Sequence, residues 1–263
     1  MSTDDLFDAS AMYDEDYLHF FATPAARSPT HGPVVGTAYA GASEIADRVR
    51  ALPGPDPGPE VLDLACGHGA LANELAARGA RVTGLDSSEV FLRRAHNDAA
   101  ARGVEVDYVH GDMRSLPTGW TGRFDRVICW TTAFGYFDDT TNRAVLRETA
   151  RVLRPGGRLA MDLDNLPAFL TSYTPSRVTT ALDNGDMLVD RHRFDPLTAR
   201  FEVERTVVRD GRARTLTFVK RLFGFPELRD WCTEAGFTDV AAYGEDGRPL
   251  TASHHRMVVV GVT

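Results

Sequence analysis

The chain has 263 residues, 43% of them hydrophobic and 25% charged, with a net charge of −8. That length suits one large α/β domain or a domain with an elaboration, and the composition is that of a folded globular protein. The acidic balance excludes the broad basic face that nucleic acid or an anionic membrane would require.

The opening MSTDDLFDAS has neither the cationic start nor the apolar stretch of a signal peptide. The longest clean apolar run, Met257–Val262, is far too short to cross a bilayer. A cytoplasmic protein is therefore expected. Cys66, Cys129 and Cys232 are scattered and odd in number, and read as free thiols. The eight histidines show no zinc spacing, so no metal site is expected.

Along the chain, Tyr13, Tyr17, Phe20 and Phe21 come first, spaced i, i+4, i+7 and i+8 on one helical face. They predict an aromatic helical arm within residues 1–52, which either simply packs on the domain or closes as a lid over a cleft. Asp14–Asp16 read as a solvated face or a helix N-terminus. The proline-rich LPGPDPGP, Leu52–Pro59, marks the next boundary, because it cannot continue a helix or a ladder.

Strands and helices then alternate over residues 53–180. PEVLDLAC is a buried strand, followed by a helix near Ala70–Arg78 that stops at Gly79. ARVTGLD is the second strand; the next helix is capped by Ser87 or Ser88 and ends at Gly103. VEVDYVHGD and FDRVICWTT give strands three and four, a helix covers Asn142–Leu153, and GRLAMDLDN after RPGG is strand five. Such βαβ units predict a Rossmann-like, doubly wound, mainly parallel α/β sheet.

Residues 181–220 switch to period-two strands with turns at Asn184-Gly185, Asp195-Pro196 and Asp210-Gly211, an antiparallel β insertion. It would cap a pocket or form a homo-oligomer interface. Residues 221–263 complete the core: a helix between Pro226 and Gly236, then strands Phe237–Tyr243 and His255–Val262 paired antiparallel at the sheet edge.

Gly67-His68-Gly69-Ala70-Leu71-Ala72 fits the loose fingerprint of a nucleotide-binding turn between strand and helix. Asp86 follows Gly67 by nineteen residues, at the end of the second strand, where a carboxylate can take ribose hydroxyls. A nucleoside ligand is implied. Asp63, four residues before the turn, would repel a pyrophosphate in a low-dielectric cleft but favour an ammonium group. That preference points to S-adenosylmethionine, whose carboxylate the turn's amides could receive. His68 is expected to point to solvent. A nicotinamide-dependent oxidoreductase and a non-catalytic nucleoside-binding protein stand as alternatives.

VLDLACGHG, VTGLDSS, GDMRSLP, FDRVICWTTAFGYF and RVLRPGGRLAMDL, in order over about residues 58–165, resemble the motifs of class I S-adenosylmethionine-dependent methyltransferases. The resemblance implies methyl transfer to a small-molecule acceptor, and its antibiotic- and sugar-tailoring members suggest a secondary metabolite. It places Asp63 and the backbone of Ala65 and Gly67 at the methionine end. Asp86 goes to the ribose, Ser87 flanks the adenine, and Asp112 and the Met113 amide meet the ring. The backbone of Cys129 meets the ligand amine. In the arm, Tyr13 or Tyr17 would orient the acceptor or contact the sulfonium, an interaction worth about 0.5–2 kcal/mol when desolvated. Trp130, Phe134, Tyr136 and Phe137 would wall the acceptor pocket, with Asp162, Asp164 and Asn165 in reach of it. His254 and His255 could offer a base but read as a loop-facing pair. No placed base leans the reading toward a nitrogen or an acidic phenol as acceptor.

Overall fold

A computed structural model describes residues 9–21, 41–51, 60–173, 177–182 and 184–263. In chain order the elements are α1 (Ala9–Met12), α2 (Glu15–Phe21), α3 (Ala42–Ala51), β1 (Glu60–Leu64), α4 (Ala70–Ala77), β2 (Arg81–Asp86) and α5 (Glu89–Arg102). β3 (Asp107–His110), β4 (Phe124–Cys129), α6 (Asp139–Val152), β5 (Leu153–Asp164) and α7 (Leu166–Ser172) follow. The antiparallel strands are β6 (Arg177–Ala181), β7 (Met187–Asp195), β8 (Arg200–Arg209) and β9 (Arg212–Arg221). α8 (Phe225–Glu234), β10 (Thr238–Tyr243) and β11 (Arg256–Val262) end the chain. The proline-rich boundary at Leu52–Pro59 lies outside the described residues. No helix among the described residues is long and apolar enough to cross a membrane.

Seven strands form one sheet in the order β10-β11-β5-β4-β1-β2-β3. β1 to β5 pair in parallel, and β11 runs antiparallel to both β5 and β10. The expected edge pair is therefore present. β1 lies inside the sheet and is buried from Val61 to Leu64, the near-continuous apolar run of a strand covered on both faces. Side chains alternate across a strand. Leu62 and Leu64 join the core under α6 and α8, while Val61 packs with Ile45, Val49, Leu71 and Leu75 of α3 and α4. Within the segment expected as an arm, α3 thus belongs to the helical layer of the sheet, and its Ala42 and Ile45 join Tyr13 and Tyr17 in lining the site described below.

β6 to β9 form a second, four-stranded sheet spanning 177–221, slightly wider than the expected insertion. Asp210 and Gly211 take φ of 51° and 73°, the left-handed pair that closes a tight hairpin. The inner face of this sheet packs Phe201, Val203 and Phe218 on Met12, Tyr136 and Phe169, and Leu188 and Val207 on Phe20. Its outer face carries the cross-strand ion pairs Arg191–Glu204 and Arg193–Glu202, a polar surface. α7 was not expected. Asn165 and Pro167 mark its start, and it delivers Phe169 to the insertion, 5.2 Å from the Phe201 ring.

Candidate active site

A cavity of about 610 Å³ opens at the carboxyl ends of β1, β2 and β4, where open α/β sheets bind ligands. The turn after β1 forms its floor. Ala65, Gly67 and Gly69 have φ of 59°, 57° and 78°, so the chain reverses within a few residues. Gly69 has no room for a side chain. A Cβ there would stand 2.2 Å from the Tyr108 hydroxyl and 2.7 Å from Ala95 Cβ. Tyr108 uses that space to donate to Asn73 Oδ1 at 2.8 Å, bracing the turn against α4.

Asp63 lines the cavity and is 2% exposed. Its Oδ2 is buried without a hydrogen-bond partner among the described residues. Burial first, and the Asp86 charge second, push its carboxyl up to about 7, against one hydrogen bond from the Ala72 amide. Asp86 also lines the cavity, but its oxygens already accept from the Gly67 amide at 2.8 Å and the Ser88 amide at 2.8 Å. Burial raises its pKa, and these amides oppose the rise.

Three of the turn's amides are engaged within the protein. Cys66 N–H donates to Leu85 O, Gly67 N–H to Asp86, and Gly69 N–H to Cys66 O. These three amides are therefore not the ones that would receive a ligand carboxylate. Ser87 and Met113 line the cavity as expected. Asp112 lines it too, held by Arg114 through bonds of 2.6–3.1 Å. Burial raises the Asp112 pKa, but Arg114 outweighs it and the net shift is downward.

The arm crosses this cavity. Tyr13 and Tyr17 both line it, with ring centroids 5.5 Å from Phe91 of α5. Tyr13 donates to the Tyr136 hydroxyl at 3.1 Å, and Ser88 Oγ donates to Tyr13 O at 2.6 Å. Burial raises the pKa of Tyr13 and Tyr17, and that of Tyr136 to about 12, so all three are neutral phenols at neutral pH. Asp14 caps α2 through the Asp16 and Tyr17 amides. The acidic run is the helix N-terminus of the two readings: Glu15 stays exposed, while Asp14 pairs with Arg214 and Asp16 with Arg209 and Arg214 of the insertion.

Other expectations are corrected. Phe134 is 1% exposed and packs 5.4 Å from Phe223 in the main core; its neighbours Ala133, Tyr136 and Phe137 line the cavity instead. Cys129 is 2% exposed and is not among the lining residues; the chain enters the wall one residue later, at Trp130. His68 is half-buried in the lining, 6.2 Å from the Phe91 ring, with its pKa lowered by burial. Asp162 and Asp164 are absorbed in ion pairs with Arg256 and Lys220, and Asn165 bonds to the carbonyls of Thr251 and His254. His254 bonds within its own loop. Phe91, Arg114 and Thr131 were missed as lining residues. Arg114, inside GDMRSLP, and Thr131, inside FDRVICWTTAFGYF, carried a sequence signal; Phe91 did not.

Residues 61–157 match a family described as "Methyltransferase domain". A ubiquinone biosynthesis O-methyltransferase of Xanthomonas oryzae pv. oryzae is 36% identical over 112 residues, 42% of this chain and 46% of that protein. The chain thus spans less than half the length of the curated relatives it matches. The CcbJ methyltransferase of Streptomyces caelestis shares the fold over 97% of this chain and 98% of its own, with a TM-score of 0.76 at 23% identity. CalS10 of Micromonospora echinaspora, an amino pentose methyltransferase solved with S-adenosylmethionine, aligns over 84% and 90% with a TM-score of 0.60 at 25% identity.

Proposed function

We propose that the chain is an S-adenosylmethionine-dependent methyltransferase acting on a small molecule. The observation that carries this is Asp63: a buried carboxylate with an unpaired oxygen, in an aromatic-walled cavity at the strand ends of a segment that matches a methyltransferase domain. An ammonium ligand satisfies that oxygen, and a diphosphate does not. Asp63 holds the ligand's amine, Asp86 its ribose, and Asp112 with Met113 its adenine. When bound, S-adenosylmethionine supplies a methyl group on a good leaving group.

The remaining chemistry falls to the chain. Tyr13, Tyr17 and Tyr136 orient the acceptor and exclude water, and an electron-rich ring face suits the sulfonium. All three phenols keep their protons, so none strips an alcohol. An amine that arrives uncharged needs no such help, and we take a secondary-metabolite amine as the acceptor. CalS10, an amino pentose methyltransferase involved in calicheamicin biosynthesis, supports that class. The ubiquinone biosynthesis O-methyltransferase supports an oxygen acceptor instead, and the phenol panel is the arm of the test to compare. A cytoplasmic location belongs to the same reading, supported by three buried free thiols.

The test is incubation with methyl-labelled S-adenosylmethionine and panels of aminosugars, other amines and phenols. Label transferred to an amine, with S-adenosylhomocysteine released, is expected. Tight binding without turnover on any panel would make the chain a nucleoside-binding protein.

A further inference from the structure

Thr131 and Thr132 have φ of 57° and 58°. Two successive β-branched residues in the left-handed region form a rare and strained arrangement, of the kind held in place at functional sites. They follow β4 directly, and Thr131 lines the cavity. Both amides point to one residue of β5. Thr131 N–H donates to Asp162 Oδ2 at 3.1 Å, and Thr132 N–H donates to Asp162 O at 3.0 Å. Asp162 is in turn gripped at both oxygens by Arg256, at 3.0 and 2.6 Å. Arg256 also bonds Asp164 at 2.6 Å, and Asp164 bonds Lys220 at 2.6 Å. All four charged residues are at most 7% exposed.

We propose that Asp162 is a positioning residue: it locks the Thr131–Thr132 turn in its strained form and so sets the cavity wall against the ligand. The proposal rests on the methyltransferase reading and deepens it. Such a buried quartet is an expensive way to gain stability, since apolar residues of similar volume commonly serve as well. Its geometry is explained by what it holds. Arg256 fixes the Asp162 carboxylate so that one oxygen meets the Thr131 amide, and Lys220 ties the quartet to the insertion sheet.

Calorimetric titration with S-adenosylhomocysteine tests this, with thermal melting recorded on each protein. Asp162→Ala should weaken binding tenfold or more. Adding Thr131→Gly to that variant should restore most of the loss, because glycine adopts positive φ without a partner. Thr132 keeps its bond to the residue-162 carbonyl in both. Thr131→Pro leaves the quartet intact but forbids both the φ and the bond; it should also lose tenfold or more while melting cooperatively. If Asp162→Ala fails to fold, the proline variant decides. A folded proline variant with wild-type affinity would overturn the proposal, as would an Asp162→Ala loss that glycine does not repair. Wild-type protein that ignores S-adenosylhomocysteine would overturn the methyltransferase reading itself, and this proposal with it.

Discussion

Asp63 sits where a carboxylate is held at a cost. In water it would ionise near pH 3.9, whereas burial and Asp86 hold it near 7. For a carboxyl raised on folding, the native state binds more protons than the unfolded one between those two values. Stability therefore falls as pH rises through that window, and the full cost is present above about pH 7. Asp63→Asn should raise the melting temperature of the ligand-free protein by a few degrees at about pH 8 and change little near pH 4. A melting curve at each pH checks this. Ligand binding should move the other way. Below pH 7 an ammonium ligand must expel the Asp63 proton, so its affinity should drop as pH falls. In Asp63→Asn that pH dependence should disappear and the affinity should fall tenfold or more, read by calorimetry. The same residue thus weakens the empty protein and strengthens the loaded one.

At the scale of elements, the turn after β1 and the arm carry the site. Gly69→Ala combines a φ of 78° with a contact far inside van der Waals distance of Tyr108. It should destabilise by about 2 kcal/mol or more, visible as a lower denaturant midpoint. For the arm, Tyr17→Phe should retain most activity, because the proposed contact with the ligand is made by the ring face. Tyr17→Ala should lower kcat at least tenfold with a smaller change in cofactor affinity. Equal turnover in all three proteins would leave the arm as packing alone.

These two elements also show how far sequence reading goes. The strand–turn–helix order was legible because Gly67, Gly69, Gly79 and Gly103 punctuate apolar periods; every parallel strand of the core is present, though β5 starts at Leu153 and takes in the RPGG expected as a turn. The acids at the strand ends were legible for the same reason. Local pattern did not reveal which neighbour each group had already found. Asp86 takes the Gly67 amide of the turn across nineteen residues, and Asp14 and Asp16 meet arginines about two hundred residues away. Phe134 differs from Tyr136 and Phe137 only in which side of a loop it faces, set by Phe223 on a later segment.

At the scale of the whole molecule, the insertion is a dock for the arm, and none of its described residues lines the cavity it was expected to cap. Arg214 donates to Ala11 O at 3.0 Å and pairs with Asp14 and Asp16, while Arg209 adds a second contact to Asp16 at 3.0 Å. His19 meets Asp186 at 2.8 Å on the same side. Each half-exposed pair contributes at most about 1 kcal/mol, so no single one fixes the arm. Arg214→Ala removes three contacts at once. It should raise the acceptor KM several-fold, leave the melting temperature nearly unchanged, and be mimicked in part by high salt acting on the wild type. Steady-state kinetics at low and high ionic strength read both effects.

The account stands on one cavity that selects a cationic nucleoside. Its most direct test is paired calorimetric titrations of the purified protein with S-adenosylhomocysteine and with NAD, at about pH 8 and about pH 5.5. The account predicts binding of S-adenosylhomocysteine that is tighter at the higher pH, and no heat from NAD at either. Saturable NAD binding with S-adenosylhomocysteine ignored would contradict it.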